Sequence, residues 1–368
     1  MQIKKTVTII HDNNKYDRSF IKLVKRYHTI KMVDIKSMHP NDFKDSLLVI
    51  IQINLGDPEV LRPLKEKMFL SEREHVPVLF LLRNFSRREI VQANILGATD
   101  YALYPCPDNN FIKVMGDLVN RAVEQAWEKL SKIQETALKV SLKVVEKTFR
   151  NAAAGLEVAQ DEVKDSCRLI IEATAKDGLS DWMNAIRQHH NYTYRHSMMV
   201  CGYLTSFGML LGVKKDDLQV LAVGGLLHDI GKSVTPVEIL DKPARLTPKE
   251  WEIMKEHAEH SCHILEKGNW DGVMIDIATH HHEKLDGSGY PHGLKGSQVS
   301  DLARMAAIAD IFSGLVDKRS YKEAMSAEAA INIMLDMKDQ LDIPLVRAFR
   351  AVALSDEGKA FSFQKKTA

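Results

Sequence analysis

The sequence predicts a multidomain chain with an α/β doubly wound domain at the N-terminus and an all-α domain at the C-terminus, joined by a long helix. Short β-branched apolar runs alternate with amphipathic segments over the first 105 residues. An apolar stripe with helical spacing follows, and helical periodicity then continues to the end of the 368 residues. A chain of this length accommodates two or three domains, which we place at 1–110, 111–155 and 156–368.

In the first domain, several apolar runs are predicted to be strands of one parallel sheet. They lie at 6–10, 30–35, 46–53, 77–82 and 100–104. The segments between them have the spacing of amphipathic helices, at about 16–28, 57–69 and 86–96. Apolar strands that alternate with helices are typical of a sheet covered on both faces, as in a doubly wound domain.

The connecting segment is predicted to be one helix that pairs with a second copy of the chain. Its apolar stripe includes Val114, Leu118, Val119 and Val123, and no proline interrupts the segment. An apolar spacing of three to four residues suits helix pairing, so we expect a homodimer. The alternative is that the stripe packs against the C-terminal domain of its own chain.

The composition argues against several classes of protein. The formal net charge of +1 leaves no electrostatic footprint for duplex nucleic acid, so DNA is not an expected partner. No run of 18 apolar residues is present, which argues against a membrane span. The four cysteines lie far apart and form no CxxC pair, which favours a reduced, cytoplasmic protein over a disulfide framework or a thiolate metal site.

The C-terminal domain carries histidines and aspartates at the apolar edges of separate helical segments. Buried charged groups are costly unless partners or a metal compensate them. Imidazole and carboxylate donors without thiolate suit iron, manganese, zinc, cobalt or nickel, and this many donors suit two ions better than one. The candidates are His196, the pair His228 and Asp229, one of His257, His260 and His263, the run His280–His282, and Asp310.

Each of these residues taken singly also has a simpler interpretation. A lone histidine such as His196 is commonly a satisfied core or surface residue. Asp310 alone suits a helix cap or an ion pair, and the run His280–His282 suits a solvated turn. It is the occurrence of all of them in one all-α region that favours a metal site.

The motifs that contain these residues resemble the HD-GYP family of metal-dependent cyclic di-GMP phosphodiesterases. HDIGK begins at His228 and HHEKLDGSGYP begins at His281, and the resemblance extends over about 180–355 through YTYRHS, PVEILDKPARLTPKEW and KRSYK. It implies the metal ligands His196, His228, Asp229, His257, His281, His282 and Asp310. It also implies catalytic roles for Asp229 and Lys232, and substrate contacts from Lys232, Tyr290, Arg319 and Lys322.

The resemblance implies a specific chemistry. Asp229 would bridge two divalent ions, iron or manganese first, with nickel, cobalt, zinc and magnesium as alternatives. Tyr192 stands where some members carry a glutamate for a third metal, so we expect two ions. Cyclic di-GMP would be hydrolysed to linear pGpG, to GMP, or to both. Gly287 and Gly289 are expected to permit unusual backbone angles in the loop beside the site.

Other functions remain open at this point. Ser313 replaces a second acid that the family usually has three residues after Asp310, which leaves a catalytically weak cyclic-dinucleotide-binding signalling protein as an alternative. A phosphodiesterase for the mixed cyclic GMP-AMP is another, because the sequence does not identify contacts to the base edges. A different HD phosphohydrolase that acts on free nucleotides is less favoured, since the GYP loop is intact.

The first domain resembles a response-regulator receiver that has lost its phosphorylation chemistry. Gln52 stands at the end of the third strand, where the family keeps its phosphoacceptor aspartate, and a carboxamide cannot form an acyl phosphate. Tyr104 replaces the lysine before Pro105, and of the acidic pair only Asp12 remains. The resemblance therefore implies a receiver-like module without a phosphoacceptor that serves dimerisation or binds a protein partner.

Overall fold

The computed structural model describes residues 6–12, 19–43, 46–70, 76–84, 86–187, 189–240, 242, 244–317 and 324–355. The described residues of Met1–Glu128 and Gln188–Asn191 form one compact unit, and those of Lys129–Arg187 and Tyr192–Ala368 form a second. Across the described residues, no helix combines the length and apolarity needed to cross a lipid bilayer.

The first unit contains a parallel sheet with strands in the order β2-β1-β3-β4-β5. This order is that of a doubly wound domain, so the α/β fold predicted for the N-terminal domain is confirmed. The predicted strands are confirmed as β1 Thr6–His11, β2 Thr29–Asp34, β3 Ser46–Gln52, β4 Val78–Leu82 and β5 Asp100–Leu103. The helices of this unit are α1 Phe20–Tyr27, α2 Pro58–Leu70, α3 Arg87–Ile95 and α4 Asp108–Ala126.

The inner strands of this sheet are apolar because both of their faces are covered. Every residue of β3 and of β4 is buried, as expected for central strands of a parallel sheet. Ile50 pairs in register with Ile9 on one side and with Leu79 on the other. Gln52 ends β3, is 7% exposed, and stands opposite His11 of β1.

The single connecting helix predicted over 111–155 is wrong, because the structure divides this segment into two helices. α4 ends at Ala126, a 3-10 turn covers Trp127–Lys129, and α5 spans Lys132–Ala153. Ser131 caps the start of α5, since its hydroxyl accepts a hydrogen bond from the backbone N–H of Gln134. The side chain of Trp127 is fully buried at the end of α4.

The apolar stripe on which the prediction of dimerisation rested packs against other residues of the same chain. In α4, Phe111 packs against the rings of Phe20 and Tyr104 within the first unit, and Leu118 and Val123 are fully buried. In α5 the stripe continues into the second unit, where the helix packs along α6. The stripe is therefore an internal packing surface and no longer supports the expectation of a homodimer.

The regular elements described in the second unit are helices, as predicted, apart from an isolated antiparallel bridge between Asp286 and Lys295. After α5 its helices are α6 Gln160–Asp177, α7 Leu179–Ile186, α8 Tyr192–Leu210, α9 Lys215–Leu227, α10 Val237–Leu240, α11 Pro248–Lys255, α12 His257–Lys267, α13 Gly272–His280, α14 Asp301–Val316, α15 Ala327–Asp336 and α16 Ile343–Ser355. Edge-to-face rings of Tyr203, Phe207, Phe312 and Phe349 join α8, α14 and α16. The buried faces of these helices form the core that supports the site.

Two glycines let α9 approach its neighbours closely. A Cβ at Gly225 would lie 3.0 Å from the Cα of Cys201 in α8, and a Cβ at Gly224 would lie 2.8 Å from the Cδ1 of Ile277 in α13. Helix α9 thus lies directly against α8 and α13. This packing brings His196 of α8 and the residues that follow α13 close to the end of α9.

Candidate metal centre

The structure brings together all seven residues that the sequence predicted as metal ligands. Within the described residues they form two groups, and in each group the donor atoms lie within 4.8 Å of one another. One group contains His196, His228 and Asp310, and the other contains Asp229, His257, His281 and His282. Their helices α8, α9, α12, α13 and α14 meet at this point, so residues distant in the sequence converge.

Asp229 faces both groups with different oxygens. Its Oδ2 lies 3.2 Å from the Nε2 of His228 and 3.4 Å from the Nε2 of His196. Its Oδ1 lies 3.3 Å from the Nε2 of His257 and 3.8 Å from the Nε2 of His281. This arrangement places one carboxylate between two sets of nitrogen donors, which is the geometry a bridging ligand requires.

Asp310 spans the two groups in a similar way. Its Oδ1 lies 3.0 Å from the Nε2 of His196, and its Oδ2 lies 3.7 Å from the Nδ1 of His282. The Nε2 atoms of His196 and His228 are themselves 3.2 Å apart. The centre is therefore compact, and its two carboxylates together contact donors of both groups.

Backbone carbonyls orient three of the histidines so that Nε2 points into the centre. The Nδ1 atoms of His228, His257 and His281 lie 2.8, 2.6 and 2.9 Å from the carbonyl oxygens of residues 225, 254 and 278, three positions earlier in the chain. Each Nδ1–H donates to that carbonyl, which fixes the tautomer and leaves the Nε2 lone pair available. Such fixed imidazoles are the usual nitrogen ligands of transition metals.

The centre contains buried polar atoms that the described protein groups leave unsatisfied. The Oδ1 of Asp229 and the Nε2 atoms of His257 and His281 are buried and have no hydrogen-bond partner among the described residues. These three atoms belong to one donor group and face the same point. Buried polar atoms normally have partners, so the donor set fits a cation at this point.

Burial keeps most of these imidazoles neutral. Desolvation lowers the pKa of His257 to about 4 and the pKa of His282 to about 3. It also lowers the pKa of His281 well below its ordinary value and lowers the pKa of His196. A neutral imidazole has the free lone pair that a metal needs, so these residues do not have to lose a proton before they bind one.

The two aspartates carry the negative charge of the centre. Burial alone would raise the pKa of Asp229, but His228 and Lys232 together hold it well below its usual range. Burial likewise opposes ionisation of Asp310, and the hydrogen bond from His196 lowers the pKa of Asp310 well below its ordinary value. The Nζ of Lys232 lies 2.6 Å from the Oδ2 of Asp229, so a cationic side chain stands beside the centre.

The short turn after α9 is clamped onto α12. The backbone N–H of Gly231 donates to the Oγ of Ser261 at 2.9 Å, and the Ser261 hydroxyl donates to the carbonyl of His228 at 3.1 Å. A Cβ at Gly231 would lie 2.0 Å from the carbonyl oxygen of His257. This position therefore requires glycine, and the close approach fixes His257 relative to Asp229.

The glycine-rich loop folds back over the ligand pair His281 and His282. The buried carboxylate of Glu283 accepts hydrogen bonds from the backbone N–H groups of His292 and Leu294, at 2.6 and 3.0 Å. Tyr290 donates its N–H to the carbonyl of His282 at 3.2 Å, and the two rings lie 4.7 Å apart. Burial raises the pKa of the Tyr290 hydroxyl, which therefore remains protonated.

The two glycines of this loop have different roles. Gly287 has φ +83°, the left-handed conformation that the sequence led us to expect. The expectation of an unusual backbone angle at Gly289 is wrong, since Gly289 is not among the glycines with positive φ. Glycine is required there because a Cβ would lie 2.4 Å from the backbone nitrogen of Lys284.

The neighbouring histidines of each motif lie outside the centre. The Nδ1 of His280 lies 2.7 Å from the Oδ1 of Asp276, and its Nε2 lies 3.0 Å from the Nδ1 of His292. The two donor groups of the described residues contain neither His260 nor His263. The structure thus places His257, His281 and His282 at the centre, as the resemblance implied.

The positions at which the sequence departs from the family pattern lie close to the ligands. The ring of Tyr192 stacks on that of His196 with the centroids 5.6 Å apart, so an aromatic ring stands where a third metal would need a carboxylate. Ser313 is buried, and its Oγ has no hydrogen-bond partner among the described residues. Arg319 and Lys322, which the resemblance implied as substrate contacts, lie outside the described residues.

The sequence did not reveal a buried ion pair that joins two ligand-bearing helices. The Nε of Arg195 lies 3.1 Å from the Oδ1 of Asp317, and its Nη2 lies 3.0 Å from the Oδ2 of Asp317. Arg195 precedes the candidate ligand His196 on α8, and Asp317 follows the end of α14, the helix of Asp310. The charge of Arg195 next to His196 was the available signal, but no spacing rule connects Arg195 with a residue as far along the chain as Asp317.

Comparison with known proteins gives a consistent picture of the second unit. Residues 157–345 match the profile of a family described as HD domain. A cyclic di-GMP phosphodiesterase from Pseudomonas aeruginosa is 34% identical over 175 residues, covering 47% of this chain and 42% of that protein. The 3'3'-cGAMP-specific phosphodiesterase 1 of Vibrio cholerae is 37% identical over 151 residues, covering 41% of this chain and 35% of that protein.

The matched segments span less than half of both curated relatives. Among solved structures, a HDG"Y"P protein from Bdellovibrio bacteriovorus superimposes with a TM-score of 0.51 at 20% identity, covering 65% of this chain and 79% of that one. This similarity concerns the fold. The helices that carry the candidate donors all lie within the segment that the family profile matches.

Proposed function

Because the chain belongs to the HD domain family, in the HD-GYP type that its motifs predicted, we propose that it is a metal-dependent phosphodiesterase that hydrolyses a cyclic dinucleotide. Cyclic di-GMP is the favoured substrate. The proposal is supported above all by Asp229, whose two oxygens face two separate groups of imidazoles. Relatives named for hydrolysis of cyclic di-GMP and of 3'3'-cGAMP support the substrate class.

The proposed cofactor is a pair of divalent ions, iron or manganese, with nickel, cobalt, zinc and magnesium as alternatives. His196, His228 and Asp310 would hold one ion, and His257, His281 and His282 would hold the other. Asp229 would contribute one oxygen to each. When bound, such a pair lowers the pKa of a water molecule and stabilises charge on a phosphoryl group.

The protein groups around the centre would position the phosphodiester and balance its charge. Lys232 stands 2.6 Å from Asp229, where its ammonium can offset negative charge that develops on a phosphoryl oxygen. Tyr290 keeps its proton and can donate a hydrogen bond from beside His282. Arg319 and Lys322 are proposed as further phosphate contacts on the basis of the resemblance alone.

The products proposed are linear pGpG from a first cleavage and GMP from a second. The mixed cyclic GMP-AMP is the alternative substrate, and the similarity to a 3'3'-cGAMP-specific enzyme supports its inclusion in every assay. Ser313 is the observation that favours a weaker function. Its buried hydroxyl supplies no carboxylate beside Asp310, so a protein that binds cyclic dinucleotides with little turnover is the second candidate.

The first unit is proposed to be a receiver-like module that is not switched by phosphorylation. Gln52 at the end of β3 supplies no carboxylate at the expected phosphoacceptor position. The doubly wound sheet fits this assignment at the level of the fold. We propose that the module binds a protein partner.

The decisive experiment is anaerobic purification followed by metal quantification and product analysis with both cyclic dinucleotides. We expect two equivalents of metal per chain and conversion to pGpG or GMP. A variant that combines His228→Ala with Asp229→Ala should lose both metal and turnover. Substrate that is bound but unchanged by the metal-loaded protein would favour the second candidate, and absence of both metal and binding would exclude both functions.

A further inference from the structure

Helix α11 lies beside the candidate metal centre without being packed into the core. All eight residues of α11 are described, and none of them is buried. The helix is held instead by its N-terminus, where Thr247 and Glu250 form a reciprocal capping box. Glu250 also forms an ion pair with Lys242 at 2.5 Å. A helix fixed by capping rather than by burial leaves its side chains available to something else.

Trp251 is the residue of α11 that faces the site. It is 46% exposed, and its ring meets the ring of Tyr290 edge to face, with the centroids 6.1 Å apart. The Tyr290 ring in turn lies 4.7 Å from that of His282 and 6.2 Å from that of His257. One continuous series of rings therefore leads from two candidate ligands outward to an exposed indole.

The position of this indole indicates what it would contact. A phosphodiester at the centre would have its charge balanced by Lys232 and by the ions, and the nucleosides would extend away from it. Single exposed apolar residues are ordinary on protein surfaces, but this one adjoins Tyr290, whose ring contacts the candidate ligand His282. Purine bases stack on aromatic side chains regardless of their identity, because every base has a π face.

We propose that Trp251, supported by Tyr290, is the platform on which one purine base of the cyclic dinucleotide stacks. This inference rests on the proposed function and extends it to substrate affinity. Stacking does not read the edge of the base, so Trp251 would raise affinity without distinguishing guanine from adenine. It would contribute equally to the binding of cyclic di-GMP and of 3'3'-cGAMP.

The test compares Trp251→Ala, Trp251→Phe and the control Ile253→Ala in the full-length, manganese-loaded protein. Ile253 is 37% exposed on the same helix and serves to detect general effects on α11. For Trp251→Ala we expect KM to rise roughly ten- to a hundredfold for both dinucleotides, with kcat within about twofold and metal content unchanged. Trp251→Phe keeps an aromatic face and should restore most of the affinity, and Ile253→Ala should behave as wild type.

The outcomes separate this inference from the proposed function. If the wild type turns over a dinucleotide and Trp251→Ala leaves KM unchanged, the inference is wrong and the proposed function stands. A change in oligomeric mass with unchanged KM would assign Trp251 to contact with a second copy and would also overturn it. If the wild type binds a dinucleotide without turnover, dissociation constants from calorimetry replace KM in the same comparison. A wild type that neither binds nor hydrolyses either dinucleotide would overturn both the inference and the proposed function.

Discussion

His257 illustrates how one side chain is selected from several similar ones. α12 carries His257, His260 and His263, yet only the first belongs to a donor group of the described residues. It starts the helix and is 1% exposed, with Nδ1 held by the carbonyl of Met254. Burial and a fixed tautomer, rather than the residue type, distinguish it from the other two.

We therefore expect His257→Ala to lose metal from its donor group and to reduce turnover by at least about a hundredfold, since removal of even an outer-shell partner of a metal ligand costs 10- to 100-fold. His263→Ala is the matched control, because it removes an exposed imidazole from the same helix. Metal content by mass spectrometry and kcat with cyclic di-GMP provide the measurement. Equal metal content in the two variants would show that His257 is not a ligand.

The protonation of His228 differs from that of the other histidines. Burial is the largest single contribution and lowers its pKa, but Asp229 and Asp310 together outweigh burial and raise it. Below this raised pKa the metal-free protein holds a proton on His228, and a metal that binds Nε2 must displace it. Metal affinity should therefore weaken as pH falls through the pKa of His228 and stay level above it.

The corresponding measurement is calorimetry of manganese binding at pH 6 in two buffers with different ionisation enthalpies. We expect release of about one proton per chain, from His228. His257 and His282, with pKa values of about 4 and about 3, are already neutral at this pH and release none. Release of three or more protons would contradict these assignments, and release of none would contradict the raised pKa of His228.

At the scale of elements, the close approach between the turn after α9 and α12 sets the geometry of the centre. We expect Gly231→Ala to reduce stability by about 1–3 kcal/mol or more, because its Cβ would lie 2.0 Å from the carbonyl oxygen of His257. The displaced helix should also bind metal less tightly. The thermal unfolding midpoint and the metal content of the purified protein test both effects.

Gly272→Ala is the control for this substitution. Gly272 is the first residue of α13, and a Cβ there would meet nothing within 4 Å. Alanine in a helix costs less conformational entropy than glycine, so this variant should be as stable as the wild type or slightly more so. If the two variants behaved alike, the close approach at Gly231 would have no energetic importance.

The elements differ in how far the sequence predicted them. The strands of the first unit and the capped start of α11 were predictable because they depend on local patterns of apolar and capping residues. The break between α4 and α5 was not predictable, because the apolar stripe of this segment continues on both sides of Ser131. The burial of Trp127 at the break depends on tertiary packing. The seven candidate ligands were found through motif resemblance, whereas the Arg195–Asp317 ion pair depends on two helices that meet only in the folded chain.

At the scale of the whole molecule, the first unit combines a doubly wound sheet with Gln52 at the end of β3, the position that the proposed receiver-like assignment gives to the phosphoacceptor. We expect that incubation with acetyl phosphate and magnesium will leave the intact mass of the protein unchanged, because Gln52 cannot form an acyl phosphate. Intact-protein mass spectrometry provides the measurement, with a receiver that carries its aspartate as the positive control. A stable increase of one phosphoryl group on the first unit would contradict the assignment.

Helix α11 has a consequence for how such a protein changes over evolutionary time. Because none of its residues is fully buried, replacements along it cost less folding energy than replacements in the core. The candidate metal ligands lie outside α11, so those replacements would leave the proposed metal centre unchanged. Paralogues with this architecture could acquire affinity for other nucleotides through substitutions at a few exposed positions of α11. The residues of the proposed metal centre would stay the same.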